Sequence, residues 1–258
     1  AKAQQAGKAL VLPEGHDPRV VAAANMILEN RVAKKVIVLG SEEEIAKACA
    51  DAKLTGRKFD ALDYLNSDLF EGFAQQYCQM RQKKGMTLEL AREVMKVRIY
   101  FGGMMARSGM VDGLIAGSIA STADMLRAAF HCIGTAPGMK IASSCFIMDL
   151  ARPTASGDSV LLFADCAVNP NPTAEQLVDI AMATSNTYRA LIGKTPKVAF
   201  LSFSSYGSAK HEILEKVVAA TAMFKAKIDV ENLDIIADGE LQADAALVPS
   251  VAKSKAPG

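Results

Sequence analysis

Short apolar runs alternate with amphipathic helical stretches along the whole chain, the order that gives a mostly parallel sheet covered by helices. The fold class is therefore α/β. Ala9 to Leu12 reads as a buried strand. Asp17 and Pro18 then supply a cap and a first-turn proline for a helix whose Val20, Val21, Ala24, Ile27 and Leu28 share one face. Lys35 to Leu39 is the next strand, and Ser41 with Glu44 forms a capping box for the helix after it. Leu69 to Met80 is helical. Thr87 caps a long helix running to about Arg107, with Leu90, Val94, Val97, Phe101 and Met104 on one side, and Asp112 to Gly117 is a strand. A strand ends near Cys145 to Asp149. Further on come strand Val160 to Phe163, a helix from Thr173 to about Ala190 with Gln176 in its capping box, and strand Val198 to Phe203. Helix His211 to Lys225, strand Asp234 to Ala237 and helix Gln242 to Val251 complete the order.

At about 150 residues per domain, a chain of 258 residues makes between one and two domains. Pro153, Ser156 and Gly157 make Leu150 to Ser159 read as a loop or hinge. The expected division is a first α/β domain over residues 1–149 and a second over residues 150–258.

Twenty-nine Lys and Arg against twenty-eight Asp and Glu leave a net charge of +1, without the basic excess that suits a nucleic-acid or anionic-membrane partner. Any basic residue that matters must act locally. Stretches free of charged residues, such as Val198 to Ala209, fall short of the roughly 18 apolar residues that cross a bilayer. Cys49, Cys78, Cys132, Cys145 and Cys166 show no C-x-x-C and no nearby paired histidines. That suits neither a disulfide framework nor a zinc site, and free thiols point to a reducing cytoplasm. The amino end has no apolar signal segment, and the chain stops on the turn-like Lys253 to Gly258. A fragment of a longer protein is expected.

Candidate chemistry gathers where strands end. Between Gly113 and Arg127 a strand runs out at a glycine and small hydroxyl residues, including Ser121 and Thr122, open a helix. Backbone N–H groups and hydroxyls converging at the positive end of a helix dipole make an anion site. Arg127, a turn or so further on, could add a bidentate grip on phosphate oxygens. The competing reading makes Ser121 and Asp124 an ordinary capping box and Arg127 a surface ion-pair partner. Arg81, Lys83 and Lys84 put three cations in four positions, enough for a polyanionic tail or simply a solvated turn. Leu201 to Lys210 is a second hydroxyl-rich strand end, either a cleft-lining loop or a plain helix entry. Cys145 and Cys166 lack a neighbouring histidine and read as structural thiols. Asp234, Asp238, Glu240 and Asp244 suit capping and solvation better than a metal, so no metal site is expected. No G-x-G-x-x-G or Walker lysine pattern is present.

Many medium-length stretches, in order over essentially the whole chain, resemble the phosphate acetyl/butyryl transferase family. They are Leu12-Pro13-Glu14-Gly15, Lys84-Gly85-Met86-Thr87, Asp112-Gly113, Ser121 to Arg127, Ile133 to Gly138, Phe163 to Pro170, Leu201-Ser202-Phe203-Ser204, Gly207-Ser208-Ala209 and Asp238-Gly239-Glu240-Leu241-Gln242. The resemblance implies reversible acetyl transfer between acetyl phosphate and coenzyme A, with the coenzyme as substrate and no bound cofactor. It implies a two-domain fold like that of isocitrate and isopropylmalate dehydrogenases, an active cleft between the domains, and a homodimer. By resemblance Arg127 serves substrate binding and turnover, Ser121, Thr122 and Ser144 meet the phosphoryl group, and Arg81 holds coenzyme A. Family members continue past the residues matching Lys255 to Gly258 into a segment that completes the first domain. It carries a Ser-Arg-Gly motif and the aspartate that acts as base toward the thiol, so the base is expected outside this chain.

Acetyl phosphate is already activated. The enzyme has to bind phosphate, deprotonate a thiol of pKa about 8.5 and stabilise a developing oxyanion. Direct transfer in a ternary complex is the expected route, with an acetyl-enzyme on Cys145 or Cys166 a minor alternative. Transfer of a longer acyl group such as butyryl, or a non-catalytic domain sensing acetyl phosphate or acyl-CoA, are the rival functions.

Overall fold

Alternation within the strands decides which face of the sheet each helix covers. The computed structural model describes residues 2–256. Up to Gly134 the elements are α1 (Lys2–Ala6), β1 (Ala9–Leu12), α2 (Pro18–Glu29), β2 (Lys35–Leu39), α3 (Glu42–Asp51), β3 (Asp60–Leu62), α4 (Leu69–Arg81), a 3₁₀ turn (Gln82–Lys84), α5 (Leu88–Met95), α6 (Arg98–Arg107), β4 (Gly113–Leu114) and α7 (Thr122–Cys132). The four strands are parallel, in the order β3-β2-β1-β4. Val11, Ile37 and Leu39 enter a core with Phe73, Tyr77, Met95, Phe101 and Met104 from α4, α5 and α6. Leu12, Val36 and Val38 point the other way, into Val21, Ala24, Ile45 and Ala48 of α2 and α3. Strands buried on both faces are why these segments read as unbroken apolar runs.

The single helix expected from Thr87 to about Arg107 is two helices. Val97 is extended (φ −85°, ψ 112°) between α5 and α6, and the Tyr64 hydroxyl donates to Lys96 O at 2.8 Å, satisfying a carbonyl at the break. The break re-aims the chain. Leu90 and Val97 are exposed, while Phe101, Met104 and Met105 fill the core. β4 is also shorter than the strand expected over Asp112 to Gly117, because the backbone N–H groups from Gly117 to Ala120 turn to a side chain instead of a neighbouring strand.

The second unit begins at Thr135, ahead of the boundary expected at Asp149. It contains β5 (Cys145–Asp149), β6 (Val160–Ala164), α8 (Ala174–Ile192), β7 (Lys197–Leu201), α9 (Glu212–Glu231), β8 (Ile236–Leu241), α10 (Ala243–Leu247) and α11 (Pro249–Lys255). Leu150 to Ser159 is the loop of an antiparallel β5-β6 hairpin, closed by Leu150 N donating to Ser159 O at 2.8 Å, and so joins two paired strands rather than two domains. β7 and β8 are parallel, and Phe200 packs with Val178 and Ala181 of α8 and with Ala220 and Phe224 of α9. The helix expected over Gln242 to Val251 breaks at Val248, where Pro249 restarts it as α11. Among the described residues no helix is long and apolar enough to cross a membrane.

Candidate functional site

The turn after β1 sets the geometry of the first candidate loop. A Cβ on Gly15 would lie 2.5 Å from Leu39 O, so only glycine lets the Pro13-Glu14-Gly15 turn press against β2. Glu14 is driven inward to 4% exposure. Its Oε2 accepts from the N–H groups of Gly117 and Ser118 (both 2.9 Å), and its Oε1 from those of Ile119 (3.0 Å) and Ala120 (2.8 Å). Burial raises the pKa of this carboxyl, but the four N–H donors outweigh it and hold the group below the usual range. The anion site expected from the backbone of this loop is therefore occupied by the protein's own carboxylate. Asp17 adds a second clamp, accepting from the Ser118 hydroxyl at 2.7 Å and from Arg19 Nη2 at 2.7 Å. The Arg19 hydrogen bonds, then that of Ser118, keep its carboxyl far below the ordinary value.

What the clamp leaves facing outward is the start of α7. Ser121 is its N-cap: Oγ accepts from Asp124 N at 3.2 Å and donates to Asp124 Oδ2 at 2.7 Å. Arg127 Nη1 donates to Asp124 Oδ1 at 3.0 Å, with both side chains more than half exposed. The cap and the surface pair of the competing reading are thus present, although Asp124 takes the Ser121 hydroxyl proton rather than the backbone N–H that would complete a capping box. Ser121, Thr122 and Arg127 are nonetheless exposed in the first half of α7, and Arg127 has further N–H donors beyond the one given to Asp124.

Four residues on, the same face of α7 carries His131. Arg81, at the end of α4, donates from Nη2 to His131 Nε2 at 3.1 Å, and His131 Nδ1 lies 3.1 Å from the Tyr77 hydroxyl. Arg107 reaches α7 because Gly103 allows close packing, a Cβ there meeting Cys132 Cβ at 3.0 Å. Its Nη1 donates to Cys132 O at 3.2 Å. Arg81, Arg107 and His131 line an open pocket of about 370 Å³ with Phe130 and Gly134. Among the described residues neither arginine has a carboxylate within ion-pair distance. The three-cation loop expected at residues 81–84 is split: Arg81 turns into this pocket while Lys83 and Lys84 are exposed. Burial first, then the charges of Arg81 and Arg127, lower the His131 pKa, so both candidate arginines act on one ring.

In the second unit Ser144 donates to Asp165 Oδ1 at 2.6 Å, while its Oγ accepts from Ala167 N at 3.0 Å and the Cys166 thiol at 3.2 Å. Ser144, expected to meet the phosphoryl group, thus stands beside Asp165, which also accepts from Val168 N and Asn169 N, both at 3.0 Å. Burial followed by its neighbour Cys166 raises the Cys145 thiol. The serine loop after β7 closes on itself as the first loop does: buried Glu240 accepts from Ser204 Oγ at 2.9 Å and Gly207 N at 2.7 Å. The acidic group is dispersed, Asp234 paired with Thr195, Asp238 with Lys225 and Tyr206, and Asp244 with Lys255. Glu14, His131 and Arg107 went unassigned in the sequence. The spacing of Arg127 and His131 by four was the one signal that could have linked any of them to the site.

The whole chain, residues 1–258, matches the family described as phosphate acetyl/butaryl transferase. It is 46% identical over 257 residues to a phosphate acetyltransferase of Thermoanaerobacterium thermosaccharolyticum, covering 100% of this chain and 76% of that one. It is 45% identical to a phosphate acetyltransferase of Acetivibrio thermocellus, covering 97% of this chain and 74% of the relative. Among solved structures, the EutD phosphotransacetylase from Staphylococcus aureus superposes with a TM-score of 0.84 at 35% identity, over 100% of this chain and 77% of the other.

Proposed function

The chain belongs to the phosphate acetyl/butaryl transferase family, and from that premise we propose that it moves an acetyl group between acetyl phosphate and coenzyme A by direct attack of the thiolate. The observation that carries the site is the cation cluster of the first unit: Arg81 and Arg107 face a pocket and have no carboxylate partner among the described residues, and Arg127 stands on the same helix face as His131. Unneutralised arginines suit a polyanionic substrate. Arg127, with Ser121 and Thr122 at the positive end of α7, receives the phosphoryl group and stabilises it as it leaves. Arg81 holds coenzyme A. Ser144 we assign to shaping the turn after β6, through Asp165, rather than to touching phosphate. The base toward the thiol belongs to the part of the relatives' length outside the 76% spanned here.

No divalent metal enters this scheme, in which Arg127 and the positive end of α7 supply the charge that meets the departing phosphate. The test is formation of acetyl-CoA and phosphate from acetyl phosphate and coenzyme A, with and without EDTA. A strict metal requirement, or no acetyl transfer by the protein carrying its base, would overturn the proposal. The reading places the enzyme in the cytoplasm, in keeping with its free thiols, and as a homodimer, which sedimentation would test.

Direct transfer also makes a prediction about the cysteines. The Cys145 thiol is raised and the Cys166 thiol donates its proton to Ser144, and neither is arranged as a thiolate nucleophile. Cys145→Ala and Cys166→Ala should each keep at least about a tenth of kcat, a barrier change of no more than about 1.4 kcal/mol. Initial-rate lines should intersect. A labelled acetyl group trapped on either cysteine, with activity lost in the matching alanine variant, would establish an acyl-enzyme instead.

A further inference from the structure

Arg81 presents five N–H donors, yet among the described residues its guanidinium makes one hydrogen bond, to His131, and its Nε is buried without a partner. Arginine cannot accept. The 3.1 Å contact therefore requires an unprotonated Nε2, which places the ring proton on Nδ1, where it donates to the Tyr77 hydroxyl. Tyr77 is 1% exposed and its hydroxyl is pushed up to about 12 by burial, so it is a fixed neutral partner. Tyr100 packs against the same ring from α6, with centroids 6.0 Å apart. Tyr77, Tyr100, Arg81, Arg107 and Arg127 are the titratable or charged groups around the ring, together with buried Cys132, whose thiol burial pushes up to about 12. Asp124 brings a carboxylate to this group through its pair with Arg127 and acts on Tyr100, but the charges that act on His131 itself are those of Arg81 and Arg127.

We propose that His131 is a positioning residue for the coenzyme: the neutral ring holds the Arg81 guanidinium at the pocket, and protonation releases it. The inference rests on the assignment of Arg81 to coenzyme A. A protonated Nε2 would set two donors and two positive charges against each other at the present distance, and the guanidinium must then leave. The orientation of Arg81 is thereby tied to one proton, held in place by a buried tyrosine.

The test is calorimetric binding of coenzyme A to the full chain between about pH 5 and pH 8, the range in which histidine titrates. Wild-type affinity should fall about tenfold on the acid side, the scale of one charge-assisted hydrogen bond. His131→Gln, whose Oε1 accepts at every pH, should bind like wild type at pH 8 and lose the part of the acid fall that exceeds the coenzyme's own titration. His131→Leu should bind about tenfold more weakly already at pH 8. In the wild type at that pH, ring nitrogen NMR shifts should show the proton on Nδ1. Tight binding by His131→Leu, an unchanged acid fall in His131→Gln, a proton on Nε2, or tighter binding in acid would each overturn the proposal. If Arg81→Gln binds as wild type does, the coenzyme assignment fails and takes this inference with it. If Arg81→Gln weakens binding and His131→Leu does not, only this inference fails.

Discussion

Glu14→Gln destabilises the first unit by about 3 kcal/mol, although Glu14 faces neither solvent nor the proposed substrates. The side chain is 4% exposed and both carboxylate oxygens are used, each by two consecutive backbone N–H groups. An amide of the same shape offers one oxygen. Its NH₂ would then confront two N–H groups that cannot turn away without moving the loop, and each buried unsatisfied donor costs about 1–3 kcal/mol. The loss should appear as a lower denaturation midpoint with an unchanged slope. Acid sensitivity supplies an independent check. The folded pKa of Glu14 is depressed, so its contribution is present above the unfolded value and is lost as pH falls through the folded one. The Gln variant should lack that part of the acid-side decline. A destabilisation under about 1 kcal/mol would mean that the loop finds other acceptors, and the clamp would not be what positions α7.

The same clamp explains what could be read from sequence and what could not. Caps and strands were legible because they are local: Ser41 with Glu44, and Thr173 with Gln176, form the capping boxes their spacing announces. β1 and β2 have the bounds their apolar runs suggest. The break at Val97 was illegible, since no proline or glycine marks it and the buried Tyr64 that satisfies Lys96 O is far off in sequence. In the site, glycine and hydroxyl residues correctly announced converging N–H groups between Gly117 and Ser121. That their anion is Glu14, more than a hundred residues away, depends on parallel pairing of β1 and β4. Arg81 and Arg127 read as two unrelated basic positions. Packing of α4 against α7 through Tyr77 and His131 makes them one electrostatic unit.

Arg127→Gln should lower kcat/KM by about 2 kcal/mol or more, roughly thirtyfold, through loss of a charge-assisted bond to phosphate. Its geometry makes the experiment decisive. Among the described residues Arg127 makes one ion pair, with Asp124 three residues earlier, with side chains 56% and 54% exposed, and exposed pairs of that kind contribute about 0–1 kcal/mol to stability. If Arg127 were only the surface partner of a helix cap, its replacement would change folding by a few tenths of a kcal/mol and leave turnover alone. A large kinetic loss with an unchanged denaturation midpoint cannot come from that pair, because Gln is a good helix former and Ser121 still caps α7. Arg127→Lys divides the effect further. It keeps the charge but loses the planar fork, so activity partly restored relative to Gln measures charge, and the remaining deficit measures bidentate geometry. Wild-type kinetics in Arg127→Gln would return this helix end to the role of an ordinary cap. The phosphoryl group would then have to be held elsewhere in the cation cluster, with Arg107, which pairs with no carboxylate among the described residues, as the next residue to replace.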